Sequence, residues 1–187
     1  MSAPPRAAAP GTDTQMIVFT IGHSTRTATQ FLKLLQRHGI AGIADVRRFP
    51  SSRRHPHYSR EPLADLLTRS GVRYTHIAEL GGRRQPTKES RNGAWQNASF
   101  RAYADYMATD AFRTGVETLL AFAAAGPSAI MCAEAQWWRC HRQLIADALV
   151  VRGVDVRHIM SAGQAPVHQL TPFARAEGEG VTYPGLI

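Results

Sequence analysis

The run Met16-Ile17-Val18-Phe19-Thr20-Ile21 is apolar save for Thr20, and a strand of that composition is dry on both faces. Four more short runs follow it. Ile40 to Val46 repeats the pattern, Val72 to Ile77 alternates, Ala129-Ile130-Met131-Cys132 is continuous, and Val154 to Ile159 closes the series. Between them lie segments of helical spacing. Phe31, Leu34, Leu35 and His38 share a face behind a Thr27 or Thr29 cap, and Gly39 stops that helix. Leu63, Leu66 and Leu67 mark a helix from about Glu61 to Ser70, and a third helical stretch, expected to break near Asp110, covers Phe100 to Ala125. Leu144, Ile145, Ala148, Leu149 and Val151 give a last apolar face, on a helix expected to open at Cys140-His141-Arg142 and to close at Gly153. Strand and helix in alternation specify an α/β fold. The expected sheet is mainly parallel and five-stranded, with helices on both faces in a Rossmann-like three-layer arrangement.

That pattern bounds a single α/β domain at residues 16–160. Residues 1–15, with Ser2 to Gly11 rich in Ala and Pro, read as a disordered tail. Residues 161–187 read as a C-terminal extension of irregular composition around one small apolar segment, Leu170 to Phe173. The start has no apolar core of a secretion signal, and no run approaches the roughly 20 apolar residues that span a bilayer. Two cysteines do not make a disulfide framework. A cytoplasmic protein with free thiols and no membrane partner is expected; oligomeric state is not legible.

The formal charge is +8, and 20 of the 22 basic residues are arginine. Guanidinium groups suit bidentate contact with phosphate or carboxylate, so an anionic small molecule or a nucleic acid is the expected partner. A genome rich in G and C also writes Arg for Lys, so the surplus has a second origin.

Parallel strands joined by right-handed crossovers present all their carboxyl ends on one edge, where open α/β sheets bind ligands. Gly22, His23 and Ser24 follow the first strand, Asp45 with Arg47 and Arg48 the second, Gly81 and Gly82 the third, and Cys132 with Glu134 the fourth. The motifs Thr20-Ile21-Gly22-His23-Ser24, Asp45-Val46-Arg47-Arg48-Phe49-Pro50-Ser51-Ser52-Arg53, Leu80-Gly81-Gly82, and Met131-Cys132-Ala133-Glu134 with Cys140-His141-Arg142 resemble the domain of unknown function 488 family. The resemblance covers about residues 16 to 160. It implies an α/β fold with these motif residues as the site, and it implies no particular reaction.

Thiolates are the reactive form of cysteine, and both cysteines fall in this stretch. Cys132 and Glu134, two residues apart on a strand, are expected to leave the same face of the pleat. Cys132 is therefore the expected centre of an enzyme acting on a small or nucleotide-like anion, a thiol-dependent hydrolase or transferase. Glu134 would orient His141 as acid or base; Cys140, in the first helical turn beside Arg139 and Arg142, is the second candidate nucleophile, although its replacement is expected chiefly to affect stability. Gly22, His23, Ser24, Asp45, Arg47, Arg48, Arg53, Gly81, Gly82 and Arg142 are the expected substrate-binding set. A phosphatase loop does not fit, because six residues separate Cys132 from Arg139 and one of them is an acid. Two alternatives stay open. Arginine loops interleaved with Phe49, Tyr58 and Trp95 suit nucleic acid. Cys and His side chains are metal or haem ligands by type. No ligand set is assigned, because neighbouring Cys140 and His141 on a helix would point about 100° apart. No cofactor is specified.

Overall fold

The computed structural model describes residues 15–185. The expected tail, apart from Gln15, lies outside them. Five strands, β1 (Ile17–Gly22), β2 (Gly42–Asp45), β3 (Arg73–His76), β4 (Ser128–Cys132) and β5 (Asp155–Ile159), form one sheet. It is parallel throughout, in the order β3-β2-β4-β1-β5. Around it lie α1 (Ala28–Arg37), α2 (Arg60–Arg69), α3 (Ala98–Tyr106), α4 (Asp110–Ala124) and α5 (Arg142–Val151). The expected three-layer α/β fold is the observed one. No helix among the described residues is long and apolar enough to cross a membrane.

The pleat sorts the core into two layers. Phe19, Ile21, Ile43, Ala129 and Met131 meet Phe31 and Leu35 of α1 and Leu63 and Leu67 of α2. Val18, Ala44, Val46, Ile130 and Val156 meet α3, α4 and α5 on the other face. Thr27 caps α1 in a reciprocal capping box with Gln30. The break near Asp110 is real: Thr109 caps α4 there, accepting from Phe112 N–H. From β1 the chain moves outward to β2 and β3, then returns to set β4 between β1 and β2. The strand order reverses at β4, which places Cys132 at the centre of the carboxyl edge.

The C-terminal segment departs from its reading as irregular chain. It forms an antiparallel pair, β6 (Arg175–Glu177) with β7 (Gly180–Thr182), and its His168, Thr171 and Tyr183 are buried. A buried hydrogen-bond chain holds it. Arg142 Nη1 donates to Thr20 Oγ1, which lies 2.8 Å from His158 Nδ1. His158 Nε2 lies 2.9 Å from His168 Nδ1, and His168 Nε2 lies 2.8 Å from Asp147 Oδ1. A guanidinium only donates and a carboxylate only accepts, so the two ends set the direction and both rings carry their proton on Nε2. Asp147 also accepts from Thr171 N–H and the Tyr183 hydroxyl. Burial, helped by His168 and the Arg142 charge, pushes His158 down to about 3. Local sequence carries no trace of pairings between residues this far apart.

Asp147→Ala would leave three buried donors without an acceptor. At about 1–3 kcal/mol for each group so stranded, a loss of more than about 3 kcal/mol is expected in urea denaturation. Amide exchange should quicken over residues 167–183 ahead of the sheet; unchanged protection there would show that Asp147 does not hold the segment.

Candidate functional site

A pocket of about 760 Å³ opens at the carboxyl edge. His23, Ser24, Arg47, Arg48, Gly82, Cys132, Glu134, Cys140 and His141 of the expected set line it. Arg53, Asp45, Gly22, Gly81 and Arg142 do not. Each has a different place. Arg53 is exposed beyond the rim, where its neighbour Arg54 turns inward. Gly22 and Gly81 are points of close approach. A Cβ on Gly22 would overlap the Glu134 carbonyl, and one on Gly81 would come within 2.7 Å of the Arg48 Cα.

Asp45 is fully buried beneath Arg47. Its carboxylate accepts from Arg47 Nε at 2.9 Å, Arg47 Nη2 at 2.6 Å, the Arg47 backbone N–H and the Tyr74 hydroxyl. The pair is bidentate, which fixes the guanidinium plane. Its remaining nitrogen, Nη1, lies 3.4 Å from His23 Nε2. His23 Nδ1 faces the Ser24 carbonyl at 2.9 Å, so Nδ1 carries the proton and Nε2 faces Arg47 as an acceptor. Burial brings His23 down to about 4, with the Arg47 charge adding to the effect. Its ring stacks on the buried Tyr58 at 4.0 Å.

The floor is a cluster of two thiols and an imidazole. β4 ends at Cys132, so Glu134 is not on a strand. It is exposed, and its carboxylate accepts the Gln136 N–H. It orients neither thiol nor imidazole. The Val46 carbonyl does that work, 2.8 Å from His141 Nε2. A carbonyl only accepts, so Nε2 carries the proton and Nδ1 of the neutral ring is an acceptor. Nδ1 lies 3.4 Å from Cys140 Sγ and 4.0 Å from Cys132 Sγ.

Cys140 is not in a helix. Trp137–Arg139 forms a short 3₁₀ turn, Cys140 is extended (φ −136°, ψ 152°), and α5 begins at Arg142. Two adjacent side chains thereby converge instead of diverging by a quarter-turn. The placement also sets the thiol's acidity. Burial raises the Cys140 thiol, but a hydrogen bond from Cys132, the Arg142 charge and the Arg142 backbone N–H outweigh it and bring the group to about 6. Donating to Cys140, and burial, push Cys132 up to about 12, against a lesser opposing effect of His141. Cys140 is thus the more acidic of the two thiols, and it lies just before the first turn of α5.

Five arginines line the pocket, Arg47, Arg48, Arg54, Arg83 and Arg139, against the single carboxylate of Glu134. Apart from Arg47, none has a carboxylate within salt-bridge distance among the described residues. Ser24 (φ 49°) and Arg83 (φ 57°) are the non-glycine residues with left-handed backbone among those described, and both line the pocket. Such conformations gather at binding sites, where surrounding structure enforces them. Arg54, Arg83 and Arg139 stand outside the expected substrate-binding set; Arg54 and Arg83 belong to the arginine loops of the nucleic-acid alternative, and adjacency to the Trp-Trp pair was the available signal for Arg139. Tyr103, whose ring lies 5.3 Å from His141, gave none, since an aromatic inside a helix reads as core.

The aromatics proposed for nucleic acid are mostly unavailable. Tyr58 is fully buried, and Trp95 packs against Phe100, Phe173 and Tyr183. Phe49 alone of the three is exposed.

Comparison with known protein families matches residues 27–149 to the family described as domain of unknown function DUF488. The chain belongs to that family. Its matched DUF488 region runs from the α1 cap into α5, so Arg47, Cys132, Cys140 and His141 fall inside and His23 lies just before it. No curated protein and no solved structure matches this DUF488 chain.

Two outcomes are expected. Both His23 and His158 resist protonation when folded, whereas an unfolded histidine titrates near about 6.5. Their contribution is complete above that pH and is lost as pH falls toward 4, with a slope approaching about 1.4 kcal/mol per pH unit per group. Urea midpoints between pH 7 and 5 measure it; a flat profile would refute the burial of both rings in neutral form. Alkylation by iodoacetamide should modify Cys140 first, with a rate that rises through about pH 6. Cys132→Ala removes the hydrogen bond to that thiolate and should move the inflection upward.

Proposed function

We propose that this protein is a thiol-dependent enzyme, a hydrolase or transferase, acting on a small anionic substrate. The observation that carries the reading is the His141 imidazole, turned by the Val46 carbonyl so that Nδ1 faces both sulfurs at the floor of an arginine-rimmed pocket. A core needs no such arrangement.

Cys140 is the nucleophile in this reading, in place of Cys132, because its thiolate is the one stabilised. Its sulfur forms a bond to the electrophilic atom of the substrate, and the leaving group departs with its electron pair. The Cys132 thiol gives its proton to the leaving group. Water or a second acceptor then attacks the Cys140 adduct, its proton returns to Cys132, and the Cys140 thiolate is restored. The rim arginines hold the substrate's negative charge, and Arg47 is the most rigid of them because Asp45 fixes it. A cytoplasmic setting, which keeps thiols reduced, belongs to the same reading.

The test needs no knowledge of the substrate. Iodoacetate is anionic and iodoacetamide neutral, and both alkylate thiolates. The arginine rim should raise the iodoacetate-to-iodoacetamide rate ratio at Cys140 by about tenfold or more over that of glutathione, with the excess falling as salt rises. Arg54→Ala with Arg83→Ala should reduce it. A ratio equal to that of glutathione would remove anion selection from the site.

A further inference from the structure

We propose that Cys132, Cys140 and His141 also form a binding site for one thiophilic divalent ion of the zinc type. Its fourth coordination position would open into the arginine-lined pocket. The inference rests on the reading that these side chains form a single centre, and it adds a second state to it.

The donor atoms already stand at ligand spacing. Cys132 Sγ, Cys140 Sγ and His141 Nδ1 all lie within 4.8 Å of one another, with S–N separations of 3.4 and 4.0 Å. A tetrahedral zinc with Zn–S of about 2.3 Å and Zn–N of about 2.0 Å has S–N edges of about 3.6 Å and S–S edges of about 3.8 Å. Closure therefore needs only sub-ångström movement of side chains on the two S–N edges.

The surroundings are those of a ligand set. A metal-bound histidine characteristically donates its other ring N–H to a carbonyl or carboxylate, which fixes the tautomer and aims the lone pair. Val46 supplies that carbonyl. The end of β4 anchors Cys132, and Cys140 lies against the first N–H of α5. Beside the imidazole stands Gly82, where a Cβ would come within 3.0 Å of Nδ1; the glycine leaves that side of the nitrogen clear. Two sulfurs and an imidazole select zinc-like ions over magnesium or calcium, which require oxygen ligands. The single nearby pocket acid, Glu134, is exposed and outside the cluster.

Three protein ligands with one open position is the composition of a reactive zinc site, whereas structural sites close with four. Metal and free thiolate compete here. Each sulfur bonded to the ion gives up much of its negative charge to it, so capture of the ion slows thiol alkylation and leaves an electrophilic ion facing the pocket.

The test uses the full chain, reduced and stripped with a chelator, titrated with cobalt(II) and then zinc(II). One cobalt should bind per chain, with a thiolate-to-cobalt charge-transfer band and the visible bands of a tetrahedral ion, and zinc should displace it. Bound zinc should protect both cysteines from iodoacetamide. Cys132→Ser, Cys140→Ser and His141→Gln, each checked for an unchanged circular dichroism spectrum, should weaken binding by more than about 100-fold, the upper end of what loss of a group hydrogen-bonded to a ligand costs. Gly82→Ala should weaken it with both thiols intact, so the site stays testable if a ligand variant misfolds. Failure to bind one cobalt with thiolate bands, or binding unmoved by Cys140→Ser, would overturn the site. The alkylation of the stripped protein reports on the enzyme reading separately. Tight metal binding with inert stripped thiols would sink that reading and keep the site; reactive thiols without metal binding would do the reverse.

Discussion

Arg142 is buried to 1% exposure and has no carboxylate within salt-bridge distance among the described residues. Its guanidinium donates to the Glu134 and Ala135 carbonyls and to the Thr20 hydroxyl. A charge taken out of water without an anion is costly, so a structure that keeps one must compensate it with dipoles and a nearby negative group. The two carbonyls supply dipoles, and the Arg142 charge favours the ionised form of the neighbouring Cys140 thiol. The same residue bends the chain after β4 back across the end of β1, where only glycine fits at position 22. It also begins the hydrogen-bond chain that ends at Asp147 and the C-terminal segment. Site and scaffold thus share one cation, which sequence reasoning had assigned to a ligand.

A division of charge follows. Arg47 is neutralised by Asp45 and held rigid, Arg142 is answered by a sulfur, and the rim arginines are exposed without partners among the described acids. The first is a fixed guanidinium plane, the second lies among carbonyls and a thiol, and the third leaves uncompensated positive charge on the rim. Under the proposed function, such an ordering suits an anion drawn in by long-range attraction and then held against a fixed plane. It argues less well for an extended nucleic acid, since two of the three aromatics that would stack on bases lie in the core.

The two proposed states of the centre use the same three side chains. As free thiols the cysteines stand beside an imidazole nitrogen; around a soft ion all three would be its ligands. The protein geometry needed for each is nearly the same, because the S–N separations of 3.4 and 4.0 Å lie within about 0.5 Å of the edges of a tetrahedral zinc site.

Hydrophobic period determined the architecture before any coordinates. Apolar strands such as Ile17–Gly22 and Ser128–Cys132 belong inside a parallel sheet, and a parallel sheet must gather His23, Arg47 and Cys132 on one edge. The remainder depended on contacts between residues far apart in the chain. The helix expected from Cys140 begins at Arg142 because a 3₁₀ turn intervenes, and that shift of two residues makes Cys140 and His141 converge. The group that orients His141 is a backbone carbonyl 95 positions away, and every residue carries one, so no side-chain motif could mark it. Buried and exposed arginines likewise look alike as letters. The sequence could say which chemical groups reach this edge; only the folded chain, by removing water from some and not others, decided which of them are paired, which are shifted in acidity and which face the pocket.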